Sequence, residues 1–155
     1  MKKRIGLLLC VILFFGCAKA DRTVQLPQSR YVIDVPDWMR YSAEDSEHSM
    51  EAYTSEMLEI DYTCYPKSSV LRDGETDSLR VLAEKSVAKG MEAELRQING
   101  IEMVCYRLTD ASDDAPCIGY LFEDGDMLVE IDFWYATQEA ADLTGKIIST
   151  IREGE

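Results

Sequence analysis

From residue 91 to residue 135 apolar and polar residues alternate with a period of two, broken at Asn99-Gly100, at a polar stretch near residues 109–116 and at Asp124-Gly125. A period of two is the repeat of a strand with one covered face, so four consecutive antiparallel strands are predicted. Asn-Gly favours the left-handed conformation at both centres of a type I′ turn. It therefore closes residues 91–98 on 101–108, with Ile98 opposite Ile101, Leu95 opposite Val104, Ala93 opposite Tyr106 and Met91 opposite Leu108. Met91, Ala93, Leu95, Val104, Tyr106 and Leu108 then share one face, and Glu92, Glu94, Met103, Cys105 and Arg107 the other. A turn centred on Asp124-Gly125 pairs Phe122 with Met127, Tyr120 with Val129 and Ile118 with Ile131, and Phe133 and Tyr135 continue that apolar row. Leu121, Leu128, Glu130, Asp132 and Trp134 point the other way. The pattern predicts a sheet with one dry and one mostly wet face.

Flanking segments supply the rest. Residues 23–26 and Tyr31–Val35 read as strands, the second stopped by Pro36, which has no N–H for a ladder. Trp38 follows and is expected to anchor over a sheet edge. Residues 42–48 read as a turn. Residues 49–54 and 57–65 form a further hairpin, with Leu58, Ile60, Tyr62 and Cys64 alternating against Glu59, Asp61 and Thr63. Residues 67–74 are a loop. A helix is predicted over 75–89, capped by Thr76 or Asp77, with Leu79, Leu82, Ala83, Ser86, Val87 and Gly90 on its packed face and the two small residues allowing close approach. Its stripe could run on through Met91, Leu95 and Ile98, but Gly90 breaks it and Asn99-Gly100 makes better sense as a hairpin. Thr137 caps a last helix with Ala140, Ala141, Thr144, Ile147, Ile148 and Ile151 inward and Gly154 as its stop. The fold class is α+β: an antiparallel sheet of six to seven strands flanked by two helices.

The N-terminus changes the picture from a bare domain to an exported one. Lys2, Lys3 and Arg4 precede an uncharged apolar run over residues 5–15. At 1.5 Å per residue that run is too short to span a ~30 Å hydrocarbon core, and fits a signal peptide. Phe14-Phe15-Gly16-Cys17 resembles a lipobox, with Phe14 where Leu is usual. The competing signal, Ala18-Lys19-Ala20, would give a cleaved peptide over 1–20 and simple secretion. Gly-Cys directly after the apolar run is the more specific of the two, so the expectation is a lipoprotein: signal over 1–16, acylation (palmitate-type chains) at Cys17, a tether over 17–27 and one domain over 28–155. Two acyl chains suffice for stable anchoring.

Charge and cysteines narrow the function classes. The chain carries 16 Lys and Arg against 29 Asp and Glu, a net charge of −13. Cleavage before Cys17 removes three basic residues and no acid, deepening it. Such a surface excludes nucleic acid and basic-patch membrane binding, while it suits a cationic small molecule or an envelope protein as partner. Of five cysteines, Cys10 leaves with the signal. Cys64, Cys105 and Cys117 then leave an odd thiol: Cys105 and Cys117 on one side of the sheet but not opposed, so either one disulfide or three quiet thiols. C-x-x-C spacing is absent, and neither a metal nor another cofactor is expected.

Catalytic patterns are sparse. His48 is the single imidazole, and neither G-x-S-x-G nor H-E-x-x-H accompanies it. Residues 110–114 have the oxygen density of a calcium loop without the Gly and Glu of an EF-hand. Glu130 and Asp132, with Glu94 and Arg107 on neighbouring strands, are a carboxylate pair on the wet face. The aromatic set Tyr62, Tyr106, Tyr120, Phe122, Phe133 and Tyr135 reads as core. No catalytic residue is assigned. Trp38, Trp134, Glu130 and Asp132 are the candidate ligand or partner surface.

Val35-Pro36-Asp37-Trp38, a hairpin, one amphipathic helix, a meander opened by Ile98-Asn99-Gly100 and a last helix ending Ile148-Ser149-Thr150-Ile151 together resemble the PsbP/DcrB-like superfamily, over roughly residues 28–152. The resemblance implies an α-β-α sandwich and a non-enzymatic accessory or binding role, often as an exported lipoprotein. Plant relatives assist photosystem II, a role that nothing in this sequence supports. Metal-binding histidines of some relatives have no counterpart in a chain with one His. The reading is a membrane-anchored extracytoplasmic binding module. A secreted carboxylate- or His48-based hydrolase is the alternative, and a structural partner of an envelope complex a third.

Overall fold

A computed structural model describes residues 21–42, 51–54, 56–108 and 116–155. Cys17, the signal segment, His48 and the 110–114 loop lie outside the described residues, as does most of the 42–48 turn. Strands β1 (Arg22–Gln25), β2 (Tyr31–Val35) and β10 (Arg152–Glu153) form a small sheet in the order β1-β2-β10. Strands β3 (Arg40–Ser42), β4 (Glu51–Thr54), β5 (Leu58–Pro66), β6 (Glu92–Ile98), β7 (Ile101–Leu108), β8 (Cys117–Asp124) and β9 (Met127–Tyr135) form a seven-stranded sheet ordered β3-β4-β5-β9-β8-β7-β6. All pairings are antiparallel. Helix α1 (Ser78–Ala88) packs over β6, β7 and β8, and α2 (Gln138–Ile148) against β9 and β2. The fold is α+β, and the first two strands belong to a separate sheet rather than to the large one.

The Asn-Gly hairpin has the register its turn dictates, with Ala93 opposite Tyr106, Leu95 opposite Val104 and Ile98 opposite Ile101. Asn99 and Gly100 have φ of 51° and 80°, as a type I′ turn requires. The Asn99 amide does more than turn the chain: its Nδ2 donates to the carbonyls of Ser149 and Ile151 at 2.7 and 2.9 Å, pinning the hairpin to the end of α2. The second hairpin differs from its expected pairing. Asp124 faces Met127, Phe122 faces Val129, Tyr120 faces Ile131 and Ile118 faces Phe133. The turn residues are Gly125 and Asp126, with Gly125 at φ +61° in the first position, as a type II′ turn prefers. The slip is two residues, so every side chain keeps its face.

The larger correction is that the two hairpins present their apolar rows to opposite sides. Met103 pairs with Phe122 and Cys105 with Tyr120, so Met103 and Cys105 belong to the main core. That core joins Leu58, Ile60, Tyr62, Phe122, Ile131 and Phe133 to the small sheet and α2. Val104, Leu121 and Leu128 face the other way and pack with Leu79 of α1. The sheet has no wet face over β7 and β8; both sides are covered. Cys105 and Cys117 consequently stand on opposite faces, and Cys64, Cys105 and Cys117 are free thiols.

Helix ends follow capping chemistry. The Asp77 carboxylate accepts from Arg80 N at 3.0 Å and starts α1. At its end Gly90, at φ +86°, donates to Val87 O at 2.9 Å while Met91 N donates to Ser86 O at 3.1 Å, the two bonds of a Schellman motif. Gly90 is thus a helix stop facing open space, not a close-packing position, and Val87 is exposed. Residues 92–98 are strand, so α1 does not continue through them. Thr137 caps α2 through Ala140 N at 3.2 Å. The helix ends at Ile148, short of Gly154, because the chain turns to lay β10 on β2 with Ile151 buried between. In the β2–β3 turn Met39 is the buried anchor and Trp38 is 38% exposed.

Candidate functional site on the α1 face

One row across the α1 side of the sheet runs Ala93, Tyr106, Gly119, Asp132, Asp61 on successive strands. The next runs Leu95, Val104, Leu121, Glu130, Thr63. The Tyr106 ring lies along its row, over Gly119. A Cβ on Gly119 would fall 2.0 Å from Tyr106 Cζ, so the ring crosses β8 through the space that glycine leaves. Its hydroxyl then reaches β9, donating to Glu130 Oε1 at 2.6 Å and contacting Asp132 Oδ1. Tyr65 donates to the other Glu130 oxygen at 3.2 Å, and Trp134 Nε1 donates to Asp61 Oδ2 at 3.1 Å.

The electrostatics follow from this crowding. Burial and then the neighbouring Glu130 charge push the Asp132 carboxyl up to about 7, against a downward pull from the Tyr106 hydroxyl. A phenol has one proton to give. With Asp132 protonated, its O–H donates to Tyr106 while Tyr106 donates to Glu130, and both contacts are satisfied. Burial and the two carboxylates raise Tyr106 far above an ordinary phenol, and burial followed by Glu130 raises Tyr65 likewise. The Cys117 thiol, which donates to Asp132, is raised chiefly by burial.

A cleft of about 270 Å³ opens beside this cluster between α1 and the sheet. Tyr65, Tyr106 and Glu130 contribute to it from the strands, and Leu82 and Lys85 from α1. The Lys85 ammonium is committed to the Val70 carbonyl at 2.6 Å. Glu130, Asp132 and Trp134 thus share one face of β9, whereas Trp38 stands on a separate turn. Glu94 and Arg107 lie across the sheet from the carboxylates, so they are not their neighbours. Tyr62, Tyr120, Phe122 and Phe133 are core, while Tyr106 leaves the aromatic set to become the centre of the site. Tyr65, Asp61 and Gly119 were not singled out by sequence; the legible signal was a glycine inside a strand, and its pairing with Tyr106 and Asp132 is set by the observed register. Among the described residues no group of three or more His, Cys, Asp or Glu is placed to hold a metal.

This architecture has counterparts among solved structures. The solution structure of cyanobacterial PsbP (CyanoP) from Synechocystis sp. PCC 6803 matches with a TM-score of 0.57 at 10% identity, over 88% of this chain and 94% of that one. The chain has a PsbP-like fold. A crystal structure from Bacteroides thetaiotaomicron VPI-5482 matches with a TM-score of 0.53 at 11% identity over 81% of this chain, which spans only 46% of that protein. No family model and no curated protein matches the sequence. At these identities the likeness speaks to fold. No helix among the described residues is long and apolar enough to cross a membrane.

Proposed function

We propose that the chain is an exported accessory module, anchored through acylated Cys17, whose cleft under α1 binds a small organic cation without a catalytic step. The observation that carries the binding half is Glu130: two tyrosine hydroxyls fix its carboxylate at the wall of a cleft lined on its apolar side by Val70, Leu82, Met91 and Leu121 and at its α1 rim by Lys85, Ser86 and Lys89. Apolar walls with a few placed polar groups are the composition of a small-ligand site; Lys85 is held by the Val70 carbonyl, and Glu130 is the carboxylate that a cation would meet there. The net charge of −13 favours cations over anions at long range. The PsbP-like fold supports an accessory role, and the apolar run ending in Gly16-Cys17 supports the anchor.

Calorimetric titration of the protein with phenethylamine, and with phenylacetate as the anionic control, tests the site. Heat from the amine alone, lost in Glu130→Gln, is expected; equal responses to both compounds would remove the reading. Labelling with radioactive palmitate tests the anchor separately, since Cys17→Ala must abolish both label and membrane retention. A carboxylate-based hydrolase is a second reading, favoured by an Asp132 carboxyl that titrates near neutrality. It is the weaker one, because Asp132 spends its proton on Tyr106 and the cleft presents Glu130 instead.

A further inference from the structure

Among the described residues the seven-stranded sheet ends at β6. Ile98 and Ile101 close a two-residue turn and are therefore a hydrogen-bonded pair. Alternation along an antiparallel ladder then commits the N–H and C=O of Arg96, Glu94 and Glu92 to β7. Those of Ala93, Leu95 and Gln97 point out of the sheet, a template for one more strand. Leu95 is 48% exposed beside this edge, and Val87, on the helix packed over β6, is 56% exposed.

We propose that β6 pairs with β6 of a second copy of this chain about a two-fold axis at Leu95, joining the two large sheets into one. Antiparallel pairing about Leu95 sets Leu95 against its own counterpart, Ala93 against Gln97 of the second copy and Glu94 against Arg96 of the second copy. Every outward N–H and C=O of these three residues finds a partner in that register. Glu94 and Arg96 already touch within one strand, with Arg96 Nε donating to Glu94 Oε1 at 2.6 Å; the second copy closes them into a ring of alternating charge. Registers centred on Glu94 or on Arg96 place like charges directly opposite, which is destabilising. Of the registers centred on Glu94, Leu95 and Arg96, the one at Leu95 alone opposes unlike charges, and it makes the edge self-complementary, the requirement for an isologous interface. Against an unrelated apolar strand the same charges would be desolvated without partners, which is costly.

Oxidative cross-linking of the full chain in mild detergent tests the pairing. A two-fold at Leu95 holds the two Leu95 Cα atoms ~5.5 Å apart, within disulfide reach. The two Gln97 Cα atoms are offset by four residues along the strands, ~13 Å, and out of reach. Leu95→Cys is expected to give a covalent dimer at about tenfold the yield of Gln97→Cys, against the wild-type thiols as baseline. Arg96→Glu added to Leu95→Cys should return the yield to baseline, and Glu94→Arg with Arg96→Glu together should restore it. Equal linking at 95 and 97, or a yield insensitive to Arg96→Glu, overturns the proposal. Sedimentation gives a check free of cysteine substitutions: the wild type should run as a dimer and Arg96→Glu as a monomer, and a monomeric wild type refutes the interface.

Discussion

Gly119→Ala is the most demanding perturbation of the α1 face, because it adds one methyl at a buried strand position already covered by a ring. That methyl would stand 2.0 Å from Tyr106 Cζ and 2.4 Å from Tyr106 Cε2 and Oη. Backbone holds both strands, so the ring must leave its row. Leaving costs the bond to the Glu130 carboxylate, about 1.5–3 kcal/mol for a hydrogen bond to a charged group, and the contact with the protonated Asp132, about 0.5–1.5 kcal/mol. Offsetting this, alanine restrains the unfolded chain by about 0.4–1 kcal/mol. The net expectation is a loss of about 1–4 kcal/mol, a large share of the ~5–15 kcal/mol that holds a typical domain.

Urea unfolding at pH 7, followed by tryptophan fluorescence, measures it. A loss below about 1 kcal/mol would show that the ring does not fill the glycine gap. The sharper test is the cycle with Tyr106→Ala. Once the ring is gone the methyl has nothing to strike, so Gly119→Ala should add almost no cost to Tyr106→Ala. Additive costs within about 0.5 kcal/mol would mean two independent sites and would refute the geometry.

Two further predictions concern the same face and the turn opposite it. Asp132 binds its proton more tightly folded than unfolded, so the stability it contributes is full below about 4 and is lost as pH rises to about 7, opposite in sign to the contributions of Asp34 and Glu123, whose carboxyls are lowered. At 1.36 kcal/mol per pH unit between 3.8 and about 7 the ceiling is about 4 kcal/mol, reduced to about 1–3 kcal/mol for a half-buried group coupled to Glu130. Asp132→Asn should flatten that limb of a stability–pH curve and raise stability at pH 7; an unchanged slope counts against the shared proton. Asn99→Gly keeps a left-handed turn but loses two bonds to the end of α2, so thermal unfolding should show a loss of about 1–2 kcal/mol. A neutral Asn99→Gly would mean those bonds contribute nothing beyond the turn.

Local chemistry made the turns, caps and strand faces legible. Asn99-Gly100 fixed a register, and Asp77, Gly90 and Thr137 marked helix ends, because each acts through its own backbone neighbourhood. Asp124-Gly125 misled by two residues: alternation is blind to a slip of two, and a single glycine suits either the second place of one turn type or the first of another. Trp38 misled for the opposite reason. Its size argued for burial, but the turn after Pro36 aims Met39 inward and leaves the indole outside.

What no local signal carries is the relation between the hairpins. The connection from β7 to β8 has no diagnostic turn, and adding or removing one residue there exchanges the faces of everything downstream. Phe122 opposite Met103, not opposite Val104, is a tertiary outcome, permitted because both sides of the sheet are covered and both rows are largely apolar. The site follows from that choice. With the faces exchanged, Tyr106 becomes a core aromatic and Glu130 and Asp132 become solvating charges, which is how the alternation reads in isolation. With the observed pairing they share a face, and Gly119 between them stops being a weak strand residue. It becomes the gap through which one hydroxyl meets two carboxyls.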